Sequence, residues 1–264
     1  MTLDWNLLQD QFRVFLLVFV RLTAMVAAAP VLGNTLLRVP PQMIAGLGSA
    51  LSLVVMMNLP SALAVPPFGL EYALRAGGEA LVGLTLGFTA TLILAGIQFG
   101  GEVIDHVIGF AISDVIDPIT NESASLIGNL KGLLATVLFL ALHGHHHLFR
   151  GVMRTFDLVP PGGAGLSTEV WPHLAALSEA VFTVGLQVAA PAILVMTLIW
   201  IPEGFLARMV PQLNLLVNDV PMRIGIGLFV VWLGIGPFVH LTEGLIESIA
   251  AASDRMALLM AARG

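Results

Sequence analysis

Polar and charged residues fall in clusters along this chain, and between the clusters run six apolar stretches, roughly 12–32, 43–65, 80–101, 132–149, 180–202 and 224–242. Each approaches the ~20 residues with which a helix crosses ~30 Å of hydrocarbon. Open strands would leave unsatisfied backbone groups in lipid, so the pattern predicts helices. The expected fold is all-α: an integral membrane-type subunit with about six kinked apolar spans. Pro30, Pro60, Pro191 and Pro237 fall inside or at the ends of these runs, where proline removes a backbone donor and bends a helix. Gly83/Gly87, Gly96/Gly100 and Gly128/Gly132 repeat a small residue every fourth position, a spacing that lets helix backbones approach closely. Such helices pack mainly on protein.

Composition sharpens this picture. The chain is 57% hydrophobic and only 11% charged, against about a quarter charged in an ordinary soluble domain. So few charges cannot build a water-facing surface. The net charge of -6 is spread without a basic run, which argues against a nucleic-acid partner. There is no cysteine, hence no disulfide or thiol chemistry. The apolar N-terminal run is read as retained rather than cleaved, because Asp4 and Asp10 stand where a signal peptide carries basic residues. Threading six spans in order places Arg75, Arg150, Arg154, Arg255 and Arg263 on one side and Arg38, Lys131, Arg208 and Arg223 on the other. That balance sets no orientation by the excess of cytoplasmic Lys and Arg.

Candidate chemistry is sparse. His143, His145, His146 and His147 close the fourth span, and His143 and His147 could share a helix face, a spacing that metal sites use. No H-E-x-x-H pattern or nearby carboxylate accompanies them, so the expected role is a polar interface and no metal or other cofactor is expected. Ser49 and Ser113 lack a G-x-S-x-G elbow, and phosphate-binding glycine patterns are missing. An enzyme is not expected. Arg21 stands inside the first span, where an ionised group needs a partner. Glu79, just before the third span, is the candidate. Arg21 can serve helix packing or line a pathway. The longest polar interval, 102–131, contains an apolar patch of Phe110, Ile112, Val115 and Ile116 that begins at Gly109 and is followed by Asp117-Pro118. The patch can be a helix end tucked on the core or an apolar obstruction across a conduit.

The order of short motifs adds a resemblance. Arg21 is followed by Ala29-Pro30-Val31-Leu32-Gly33 and Val39-Pro40, then by Glu79-Ala80-Leu81-Val82-Gly83-Leu84-Thr85-Leu86-Gly87-Phe88. Next come Gly101, Ile104-Asp105, Gly109-Phe110, Asp117-Pro118 and Leu138-Phe139-Leu140 leading into Gly144-His145. Phe156 with Pro160, Ala190-Pro191 and Arg208-Met209-Val210-Pro211-Gln212-Leu213-Asn214 complete the series. This ensemble resembles the FliR family of flagellar type III export gates, whose virulence counterpart is SctT. The histidine run and Trp200-Ile201-Pro202-Glu203-Gly204 depart from the family pattern.

The resemblance implies a non-enzymatic subunit that joins FliP and FliQ homologues in a helical gate at the bacterial inner membrane and flagellar basal body, partly at periplasmic level. It implies FlhB and FlhA homologues docked below, contact with membrane lipid, and unfolded export substrates as cargo. Residues 1–165 would be FliP-like and 166–264 a FliQ-like hairpin. Gly109, Phe110, Ile112, Val115 and Ile116 would contribute to a plug. Arg21, Glu79, Gly83, Gly87, Pro118, Pro191, Arg208 and Gln212 would serve packing. The alternatives are a virulence gate subunit of the SctT type, a secondary transporter with broken helices, and an intramembrane metalloenzyme built on the histidines.

Overall fold

Apolar runs punctuated by proline and glycine become helices broken at those points. A computed structural model describes residues 5–30, 39–58, 66–110, 125–163, 170–209 and 215–261. Among the described residues the regular structure is helical: α1 Trp5–Ala28, α2 Pro41–Met56, α3 Leu70–Ile108, α4 Leu126–Ala141, α5 Gly144–Leu158, α6 Val170–Met209, α7 Leu215–Leu233 and α8 Ile235–Ala261.

Among the described residues, three stretches are long and apolar enough to cross a membrane: 8–28 in α1, all of α3, and 170–206 in α6. The α4/α5 and α7/α8 pairs also qualify if each bent pair counts as one span, giving up to five. The six expected spans therefore sort into three kinds. The first, third and fifth are continuous helices. The second is α2, whose 16 residues span about 24 Å at ~1.5 Å per residue, less than the hydrocarbon thickness. The fourth and sixth are broken. In the fourth, His143 takes a left-handed conformation at φ 58° between α4 and α5. In the sixth, Pro237 in the first turn of α8 has no N–H to offer the carbonyl of Leu233, and the helix restarts after Gly234.

Contacts divide the chain into two compact units. The first comprises Met1–Leu92, His143–Leu177 and Ile246–Gly264, and the second Ile93–Leu142 and Ser178–Leu245. The expected division at residue 165 was one of kinship, whereas these units are defined by contact.

The core of the first unit is built on α1. Val14, Val18, Leu22, Met25 and Val26 recur at helical spacing and pack with Val55, Val82, Leu86, Val152, Phe156, Val159, Val170 and Met256. The core of the second unit includes Ile97, Ile104, Ile127, Phe139, Val188, Met196 and Phe238. Here Asp105, itself buried, receives hydrogen bonds from the backbone N–H groups of Ile127 (3.0 Å) and Gly128 (3.3 Å) and from the Ser125 hydroxyl. A carboxylate at the positive end of α4 satisfies the orphan donors of its first turn. Ser125 adds the N-cap, its hydroxyl accepting from Gly128 N at 2.9 Å.

A buried charge network around Arg21

Close approach of α1 and α3 creates the site. Glu79, Gly83 and Gly87 repeat every fourth residue of α3 and therefore share one face. A Cβ at Gly83 would collide with the carbonyl oxygen of Arg21, and one at Gly87 would lie 2.5 Å from that of Met25. Farther along, the Thr91 hydroxyl donates to the carbonyl of Ala28 at 2.5 Å. Contacts advance together along both helices, so α1 and α3 run in the same direction. Side chains on a helix lean toward its N-terminus, which carries the Arg21 guanidinium back to Glu79.

Arg21 and Glu79 are both 0% exposed. Arg21 Nε donates to Glu79 Oε2 at 2.5 Å. Its Nη1 donates to Thr155 Oγ1 at 3.1 Å and to the Val159 carbonyl at 3.2 Å, and Nη2 donates to the same carbonyl at 3.2 Å. The Phe156 ring covers the guanidinium, with Cζ 4.3 Å from its centroid. Glu79 Oε1 accepts from Gly162 N at 2.8 Å. The planar fork of arginine suits this divergent set of acceptors, which lysine could not span.

Gly162 reaches Glu79 because of its turn. Gly163 N donates to the Pro160 carbonyl at 2.9 Å, and Gly162 has φ 85°. Pro160-Pro161-Gly162-Gly163 thus carries proline at the second position and a left-handed glycine at the third, the chemistry of a type II turn. Arg75 Nη1 donates to the Gly162 carbonyl at 3.1 Å, while Nη2 pairs with Glu71 at 2.7 Å. The network ties α1, α3, the end of α5 and the turn after it. It offers no reactive surface: both charges are spent on each other, on the Thr155 hydroxyl and on backbone groups.

The other expected residues lie elsewhere. Gly109, at φ 100°, ends α3, and the N–H groups of Gly109 and Phe110 both donate to the Asp105 carbonyl at 3.0 Å. This is the left-handed glycine closure common at helix C-termini. Ile112, Val115, Ile116, Pro118 and Gln212 lie outside the described residues. Pro191 interrupts the backbone bonding of α6, and Arg208 is exposed in its last turn. The rings of His143, His145 and His146 sit 4.3–6.2 Å apart between centroids. Among the described residues, no group of three or more His, Asp or Glu is arranged to hold a metal ion. Thr155, Phe156, the Val159 carbonyl and Gly162 N were not foreseen as Arg21 or Glu79 partners. The double proline before Gly162-Gly163 was the one local signal that a fixed turn stood there.

A family profile described as bacterial export proteins, family 1, matches residues 12–249. The flagellar biosynthetic protein FliR of Bacillus subtilis (strain 168) is 33% identical over 226 residues, 84% of this chain and 85% of its own. FliR of Escherichia coli (strain K12) is 29% identical over 208 residues, 79% of this chain and 78% of its own. FliR of Pectobacterium carotovorum is 28% identical over 236 residues, 88% of this chain and 89% of its own.

Proposed function

Because the chain belongs to the FliR family of bacterial export proteins, we propose that it is a structural and gating subunit of the flagellar type III export gate. At the coarser level it is a membrane-associated component of the flagellar export apparatus. In the finer reading it assembles with FliP and FliQ homologues at the inner membrane and basal body, and the assembly conducts unfolded substrates. The observation that carries this reading is the extent of the match: residues 12–249 reach into both compact units, so the kinship concerns the architecture and not one motif.

The chemistry of the chain supports a mechanical role. Its most buried charges are mutually satisfied and brace helices, and a guanidinium with no exposed surface lines no conduit in this conformation. The apolar patch from Phe110 to Ile116 is the proposed plug. A seal that must yield to a passing chain is better made by packing than by a buried ion pair, whose separation strands charges in a low dielectric. Gly109 marks where that segment leaves α3.

Co-expression with FliP and FliQ homologues tests the reading. The isolated chain in mild detergent should elute as a heterogeneous species, because large apolar side chains such as Phe182, Leu194, Leu198, Phe205 and Trp232 are exposed. With its partners it should elute as one defined complex. A monodisperse, thermally robust monomer that ignores both partners would contradict the proposal.

A further inference from the structure

Lys131 is the chain's sole lysine; its ten other cations are arginines. It lies on α4 and is only 6% exposed. Among the described residues, five arginines find a carboxylate within their own unit: Arg13 with Asp10, Arg21 with Glu79, Arg75 with Glu71, Arg154 with Asp254 and Arg223 with Glu203. Lys131, more buried than most of these, has none among the described residues. Its ammonium sits over the Phe238 ring, 4.3 Å from the centroid, and opens into a cavity of ≈ 110 Å³ lined by Ile104, Gln187, Pro191, Pro237 and Phe238 among others. All of these residues belong to the second unit.

An ammonium has three N–H donors, and an aromatic face meets only its charge. The cavity lining offers polar side chains only from Lys131 itself and Gln187, enough for one water at their end of the cavity, since a buried water needs two to four polar partners. Water is therefore a poor filling for most of this space. The volume admits a short side chain and is too small for a glycerolipid headgroup with its acyl chains. Gln187 and Pro191 are exposed, so among the described residues the cavity is reached from outside along α6, which also exposes Leu186 and Leu194. We propose that this cavity receives an Asp or Glu side chain from a neighbouring subunit, whose carboxylate pairs with Lys131 and accepts from the Gln187 amide. This rests on the export-gate reading and adds to it an electrostatic anchor on the second unit.

The single lysine makes the test clean. The complex with FliP and FliQ homologues and the isolated chain are each treated with an amine-acylating reagent, and modification of Lys131 is read by mass spectrometry. A water-removing carbodiimide is applied to the complex in parallel. Expected are protection of Lys131 by tenfold or more on assembly and an amide joining its Nζ to an Asp or Glu of a partner peptide. Lys131→Met should weaken the complex by about tenfold or more, as loss of a close charge pair across an interface does. The same substitution should leave the thermal stability of the isolated chain unchanged or raised, because no partner among the described residues is stranded. Equal labelling in the two states, or no coupling to a partner carboxylate, overturns the inference while leaving the gate reading intact. A phospholipid retained by the wild-type complex and lost from Lys131→Met also overturns it, in favour of a lipid phosphate. Failure of the wild-type chain to form any complex overturns both.

Discussion

An arginine cut off from solvent must have its hydration replaced by the protein, and Arg21 shows how completely that can be done. Four hydrogen bonds, one ion pair among them, and a covering aromatic ring surround it. Removing one member of such a pair leaves the other buried and uncompensated, at a cost of about 3–5 kcal/mol, whereas replacing both by apolar groups is often neutral. Arg21→Leu and Glu79→Leu should therefore each lower the melting temperature and yield of the purified complex, and the double variant should recover much of both. A double variant that assembles at wild-type yield yet exports nothing would make the pair part of the pathway. The pairing of these two charges was readable because Arg21 lies well inside one apolar run, where it needs a partner, and Glu79 lies at the edge of another. Their remaining partners were not, since every residue carries a carbonyl and nearly every one an N–H, and only the folded turn at Gly162 selects which are used.

Helix ends decide more here than helix interiors. Hydropathy located the apolar spans but could not see that His143 and Gly234 divide two of them, because a left-handed residue or an early-turn proline changes backbone geometry without changing apolarity. Asp105, which lies in the polar interval, was singled out only within the Ile104-Asp105 motif of the family resemblance, although its carboxylate caps a helix that begins 21 residues later. Asp105→Ala should unpin the start of α4. Capping losses of this kind run to about 1–2 kcal/mol, and the amides of Ile127 and Gly128 should exchange with solvent deuterium faster while those deeper in α4 stay protected. Unchanged exchange would show that Ser125 alone suffices as the cap. The segment that follows Gly109 carries the second expectation at this scale. Deleting residues 109–114, or replacing Phe110 and Ile112 by glycine, should leave complex yield largely intact and make cells bearing the whole gate leaky to small ions. Tight membranes at normal complex yield would reduce this segment to a structural turn.

Across the whole molecule, the shortage of charge, the exposed apolar helices and the five arginines paired among the described residues fit the proposed role of a part completed by its neighbours. The all-helical, membrane-type architecture was legible from composition and span length, because both depend on what lipid and packed protein tolerate. The two compact units were not, since each assembles stretches distant in the chain, and no local pattern records which distant stretches meet. The central claim is that this chain is needed for export through the flagellar gate, and secretion tests it most directly. In its own cells, loss of the chain should abolish the appearance of flagellar substrates in the medium. The wild-type chain should restore it, and Arg21→Leu should restore little, in proportion to its reduced complex. Undiminished secretion of flagellar substrates in cells lacking the chain would contradict the account.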